Sequence, residues 1–214
     1  MKNKINHKTS CLLSLLLTSF LSLPSSASAD DRENLRVKLD ALNSVQADFS
    51  QKVTDINDKL IQEGQGQFAL AQPNQFYWHL TQPDESLIVA DGEAVWIYNP
   101  FAEEVTVLDL DDAIKASPIA LMVNKDEKTW AKYTVKQTNE CFVIAPNISE
   151  GQVTDVTVCF DGSTLTHFSL ADEQGNLSEF KLTNQQPVTA TQSTLFSFTI
   201  PEDTDVDDQR RAQN

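Results

Sequence analysis

The chain has 214 residues, with 31 Asp and Glu against 16 Lys and Arg, for a formal net charge of −15. Charge of that sign repels nucleic acid and anionic lipid headgroups, which removes both as expected partners. The length suits a single domain with a sizeable core, and 40% of the residues are hydrophobic.

The first elements concern export. Lys2, Lys4 and Lys8 precede the apolar run Cys11–Leu23, and Ala27-Ser28-Ala29 fits a small-residue cleavage site. Residues 1–29 are therefore expected to be a cleaved signal peptide, leaving one domain over 30–214. The apolar run is short for a membrane span and is interrupted by serine and threonine. Cys11 opens that run instead of closing it, so the leader is not of the lipid-attachment type. Its loss removes three lysines and no acid, and the mature charge becomes (16 − 3) − 31 = −18.

After the leader, Asp31–Asn43 reads as an amphipathic helix, with Leu35, Leu39 and Leu42 spaced along one face. Strand patterns follow at Val45–Thr54, Gly64–Ala71, Gln75–Thr81, Ser86–Ala90, Ala94–Tyr98 and Glu104–Leu108. Turn residues separate them, Asp91-Gly92 being the sharpest hairpin signal. Asp109–Ala116 and, after the cap-like Ser117-Pro118, Ile119–Val123 read as two short helices. Strands resume at Trp130–Gln137, Cys141–Pro146, Val153–Phe160, Leu165–Ala171, Ser178–Gln185 and Phe196–Ile200. Pro201–Asn214 is polar and expected to be loosely ordered. Many short strands at regular spacing indicate a sandwich or barrel.

Two cysteines remain after the leader. If Cys141–Pro146 and Val153–Phe160 pair with residue numbers summing to 300, Phe142 and Ile144 share a face with Val158 and Val156. The same register sets Cys141 opposite Cys159, so a cross-strand disulfide is expected in an exported chain.

Few residues carry reaction chemistry. Only His79 and His167 lie outside the leader, and there is no HExxH pattern or Cys/His ligand cluster, so no metal is expected. Nucleophile-elbow, Walker and GxGxxG motifs are absent. Acidic pairs could in principle hydrolyse glycosides, but adjacency in sequence does not set that geometry, and no catalytic residue is assigned. The unexplained feature is an apolar excess. Phe76, Trp78 and Leu80 share a face, and Leu87–Ala90 and Val95–Tyr98 are apolar on both faces. Such strands belong either to an ordinary two-layer core or to the wall of a cavity for an apolar ligand.

The order and spacing of several short pieces resemble the LolA family of periplasmic outer-membrane lipoprotein carriers. These pieces are Phe49–Asp55, Glu63–Gly66, Pro73-Asn74 with Phe76 and Trp78, Gln82–Ser86, Asp91-Gly92, Trp96 with Tyr98–Phe101, and Val206–Arg210. The resemblance implies a mainly β fold with a few helices. The sheet would be an incomplete, half-open antiparallel β-barrel with a helical lid over an apolar concave face. It further implies a monomeric periplasmic carrier with no enzymatic activity and no cofactor. Acylated lipoproteins would be the cargo, received from a LolCDE-type inner-membrane ABC transporter and passed to a LolB-type outer-membrane receptor. A periplasmic binding module or chaperone for other lipids or apolar cargo is the alternative.

Carried over by position, Phe76, Trp78, Leu80 and Ile88 form the cavity wall, Ile88 facing Leu80 if the hairpin pairs residues summing to 168. Val95 and Ile97 join them unless the turn at Asp91-Gly92 takes the other register, which would put Trp96 and Tyr98 inside. Leu39 is assigned to the cavity from the helical side, and Ile119 and Met122 to the lid. The family has an arginine before Pro73-Asn74 that holds the lid closed. Here that position is Gln72, a weaker latch.

Overall fold

The computed structural model describes residues 27–116, 118–148, 152–189 and 194–211. Most of the expected leader and the cap position Ser117 lie outside the described residues. Helix α1, Ala27–Leu42, begins inside the last residues assigned to the leader and buries Leu35 and Leu39 on one face. Six strands follow: β1 Ser44–Thr54, β2 Leu60–Ala71, β3 Gln75–Gln82, β4 Ser86–Asp91, β5 Ala94–Asn99 and β6 Glu104–Asp109. Next come α2, Leu110–Ala116, a 3-10 helix, Pro118–Met122, and α3, Glu127–Trp130. The remaining strands are β7 Tyr133–Thr138, β8 Cys141–Pro146, β9 Val153–Asp161, β10 Thr164–Asp172, β11 Leu177–Gln186 and β12 Asp205–Asp208.

All twelve strands belong to one sheet in the order β12-β6-β5-β4-β3-β2-β1-β11-β10-β9-β8-β7. Every neighbouring pair is antiparallel except β12 with β6. The sheet curls strongly. Trp78 on β3 and Phe168 on β10 are four strand spacings apart, roughly 19 Å in a flat sheet. Their ring centroids are 5.9 Å apart. Phe68 on β2 likewise reaches Phe168, at 5.9 Å. Alternate side chains of the curled sheet fill its inside, as Val45, Ala47 and Phe49 do along β1.

The curl stops short of closure, because β12 and β7 remain the two edges. The result is an open, barrel-like antiparallel sheet. The segment from α2 to α3 connects β6 to β7 and so spans the unclosed seam, α2 packing on β5 and β6 and the 3-10 helix on β8 and β9. The Tyr133 hydroxyl on β7 donates to the Ile114 carbonyl of α2 at 3.2 Å. Helix α1 covers the β7 edge: Arg32 donates to the Tyr133 carbonyl at 2.7 Å, and Asp31 accepts from the Gln137 N–H at 3.0 Å. Two β7 edge groups that could pair with another chain, the Tyr133 carbonyl and the Gln137 N–H, are thereby occupied.

Three expectations are corrected. Trp130 does not open a strand, because Asp126 caps α3 by accepting from the Thr129 N–H and hydroxyl, both at 2.8 Å, and the Trp130 indole donates to the Asn124 carbonyl. Local capping outweighs the strand pattern there. Phe196–Ile200 is not a strand: residues 194–196 form a 3-10 turn, Phe196 is buried, and Phe198 stacks on Trp96 at 5.6 Å. The alternation is real, but it lies against the outer face of β5. The polar tail contains β12, held by its ladder to β6 and by the Arg211 N–H donating to Asp109.

Between β8 and β9 the register sums to 300. Cys141 stands opposite Cys159, and the two are joined by a disulfide. Between β3 and β4 it sums to 166 instead of 168, so Ile88 pairs with Trp78 and Ser86 with Leu80. The shift is two residues, an even number, so no side chain changes face.

Candidate functional site: an apolar cavity under a helical cover

Inside the curl is a cavity of about 270 Å³. Strand β3 contributes Phe76, Trp78 and Leu80, β4 contributes Ile88 and Ala90, and β5 contributes Val95 and Ile97. Across from them are Phe168 and Leu170 of β10 and Phe180 of β11. Leu110 and Ala113 of α2, Ile119 and Ala120 of the 3-10 helix, and Val123 form the cover. Ile88 pairs with Ile97 and Ala90 with Val95, which turns Val95 and Ile97 inward and Trp96 and Tyr98 outward. The outward pair meets Phe198, so each apolar face of β5 has a partner.

Burial grades along the wall. Phe76, Ala90 and Val95 are buried, whereas Trp78, Leu80, Ile88, Ile97 and Leu170 are half-buried. The cavity therefore opens toward the sheet end that carries the β3–β4, β5–β6 and β10–β11 turns. No lining side chain is titratable, and Gln51 is the polar one among them. His79 turns to the outer face, where its Nε2 lies 2.7 Å from Glu85 Oε1. Tyr77 lies on that face as well, its pKa raised by burial and by the nearby Glu85 carboxylate.

One residue assigned to the cavity is not brought to it: Leu39 is packed in the core and does not line it. Met122, assigned to the lid, ends the 3-10 helix of the cover and is fully buried in the same core. A helix has several inward positions, and spacing alone does not say which one meets empty space. Gln72 donates from Nε2 to the Leu39 carbonyl at 2.9 Å, so its side chain holds the C-terminal part of α1, the first helix on the covering side. The backbone two residues on reaches that cover: the Asn74 N–H donates to the Val123 carbonyl at 3.0 Å.

Residues that sequence reasoning does not assign include Gln51, Leu108, Leu110, Phe168, Leu170 and Phe180. Alternation marks Phe168 with Leu170, and Phe180 with Leu182, as one-faced pairs. Their place opposite β3 depends on the curl of the sheet, which no local pattern encodes. Cys141, Cys159 and His167 do bring three potential ligand atoms within 4.8 Å of one another. The two sulfurs are bonded to each other and offer no thiolates to a metal.

The arrangement offers an apolar guest a lining of aliphatic and aromatic side chains, with Gln51 as its polar member. Each methylene moved from water into such a lining is stabilised by about 0.8 kcal/mol, without directional demands.

Residues 40–199 match the family model described as outer membrane lipoprotein carrier protein LolA. A protein of Shewanella frigidimarina called outer-membrane lipoprotein carrier protein is 55% identical over 97% of this chain and 99% of its own length. One of the same name from Shewanella sediminis is 56% identical over 92% and 96%. Among solved structures, a LolA superfamily protein of Nitrosomonas europaea aligns with a TM-score of 0.47 at 10% identity, over 77% of this chain and 97% of that one.

Proposed function

Since the chain belongs to the family of the outer membrane lipoprotein carrier protein LolA, we propose that it carries lipoproteins through the periplasm with their acyl chains held in the cavity. It is a carrier, not an enzyme. In this reading the leader is removed after Ala29, cargo is received from a LolCDE-type inner-membrane ABC transporter, and a LolB-type receptor at the outer membrane takes it over. The observation that supports the reading best is a concave wall of Phe76, Trp78, Leu80, Ile88, Val95 and Ile97 roofed by short helices. Acyl chains crossing water need such cover, because each exposed methylene costs roughly 0.8 kcal/mol.

The cavity, about 270 Å³, lies just below the roughly 300–1,000 Å³ typical of small-molecule sites, so a multiply acylated cargo requires the cover to move. The cover suits that role. Its elements are seven and five residues long, too short to be stable helices away from their packing surface. Displacing them also sets a cost that keeps binding reversible.

The test is incubation of the purified mature protein with inner-membrane spheroplasts. Lipoproteins should appear in the soluble fraction in complex with it. Recovery of free fatty acids, with no acylated protein, would instead assign it to small-lipid binding.

A further inference from the structure

Gln51 lies on the inner face of β1, following Phe49 toward the open end of the cavity. Its Oε1 is buried and has no hydrogen-bond partner among the described residues. A buried acceptor left unpaired in apolar surroundings is costly, and such groups are rare unless something else pairs with them. Gln51 faces Phe180 on one neighbouring strand and Gly64 on the other. A Cβ at position 64 would sit 3.0 Å from Gln51 Oε1 and 2.8 Å from the Gln82 carbonyl, so glycine keeps the space beside the amide clear.

We infer that Gln51 is a polar subsite near the cavity mouth, where its Oε1 accepts a hydrogen bond from an amide N–H at the junction between acyl chains and cargo peptide. The inference rests on the carrier reading. Acyl chains occupy the apolar depth beside Phe76 and Val95, which leaves their polar junction at the open end, level with Leu80 and Gln51. The subsite then sets how deep the cargo rides. It also favours chains linked through an N–H over hydrocarbon of equal length.

The probes are a synthetic triacylated cysteinyl peptide and its counterpart in which the acyl amide N–H is replaced by N–CH3, each displacing an apolar fluorescent dye from the mature protein. The wild type should prefer the N–H form by about two- to tenfold, the range of one neutral hydrogen bond. Gln51→Met should bind both forms alike, and Gln51→Glu, which keeps an acceptor, should retain the preference. No preference in the wild type, or one that survives Gln51→Met, overturns the subsite and leaves the carrier reading standing. Loss of preference in Gln51→Glu also overturns it. Failure of the wild type to bind either peptide overturns the carrier reading, and the subsite with it.

Discussion

The indole of Trp78 lies over the ring of Phe49, centroids 3.9 Å apart and planes within 16° of parallel. The pair joins β3 to β1 across β2, and Trp78 carries it to the cavity wall. Phe49→Ala should cost about 3–5 kcal/mol, the usual range for emptying a buried aromatic site. Denaturant unfolding measures this. A cost below about 1 kcal/mol, well under that range, would mean that the ring is not part of the core.

Trp78 should also report on cargo. Trp130 is fully buried away from the cavity and Trp96 lies on the outer face, so acyl ligands should alter emission mainly through Trp78. Trp78→Phe is expected to abolish the ligand-induced change in fluorescence. If the change persists at full amplitude, the ligand sits elsewhere.

Gln72 ties the β2–β3 turn to the Leu39 carbonyl. Gln72→Leu leaves that carbonyl unpaired and should lower stability by about 1–2 kcal/mol. Gln72→Arg keeps the bond and adds charge assistance, a gain of about 1 kcal/mol. Spin labels at Asp84 and Asp111 would measure cover opening in the two variants. Identical distance distributions would remove Gln72 from control of the cover.

Asp91 organises the β4–β5 turn. Its carboxylate accepts from the backbone N–H groups of Glu93 and Ala94 and from the Trp96 indole, at 2.8–2.9 Å. Burial pushes its pKa up, but the hydrogen bonds together outweigh burial and hold it below the usual carboxylate value. With the folded pKa depressed, the stabilisation is present above the unfolded value of about 3.9 and is lost as pH falls through the folded one. Urea midpoints measured from about pH 5 downward should fall less steeply for Asp91→Asn than for wild type. Parallel curves would contradict this.

At Gly66 the backbone of β3 leaves no room for a side chain on β2. A Cβ there would lie 2.0 Å from the His79 carbonyl and 2.6 Å from the Phe49 ring. Gly66→Ala must displace backbone and aromatic together. A loss of about 1–3 kcal/mol or more is expected, as for other overpacked sites. Thermal unfolding decides it, and an unchanged melting point would show that the strands can separate at no cost.

The disulfide closes a separation of 18 residues between β8 and β9. By loop-closure entropy its removal should cost about 3 kcal/mol, reduced to the extent that the hairpin persists in the unfolded chain. Unfolding with and without reductant should reproduce the difference seen in the double Cys→Ala variant. A reductant-insensitive wild type would mean the thiols are unpaired.

The alternation of Phe76, Trp78 and Leu80 makes one face of β3 legible from residue order alone. Strand parity carries that face into β4 despite a two-residue error in register. The parity of Cys141 and Cys159 with their apolar neighbours fixes the β8–β9 pairing. Curvature is not legible, because contacts such as Trp78 with Phe168 arise from twist accumulated over several strands. The C-terminal part misleads for a related reason: Phe198 belongs to a strand-like pattern but meets a surface far earlier in the chain, on β5, and the polar tail becomes strand β12 only by pairing with β6. Gln51 gives no signal, since a glutamine on a strand is ordinary until its surroundings are known.

The seam between the β12 and β7 edges is crossed by chain connectivity and side-chain packing, with no strand-to-strand ladder across it. Swelling to admit bulkier cargo can therefore proceed by parting the two halves like a clasp, while the rungs of the sheet stay intact. Substitutions at the half-buried cover positions Leu110, Ala113 and Ile119 should then change how much the vessel holds at less cost to its endurance than substitutions at Ile114 or Met122, which belong to the core.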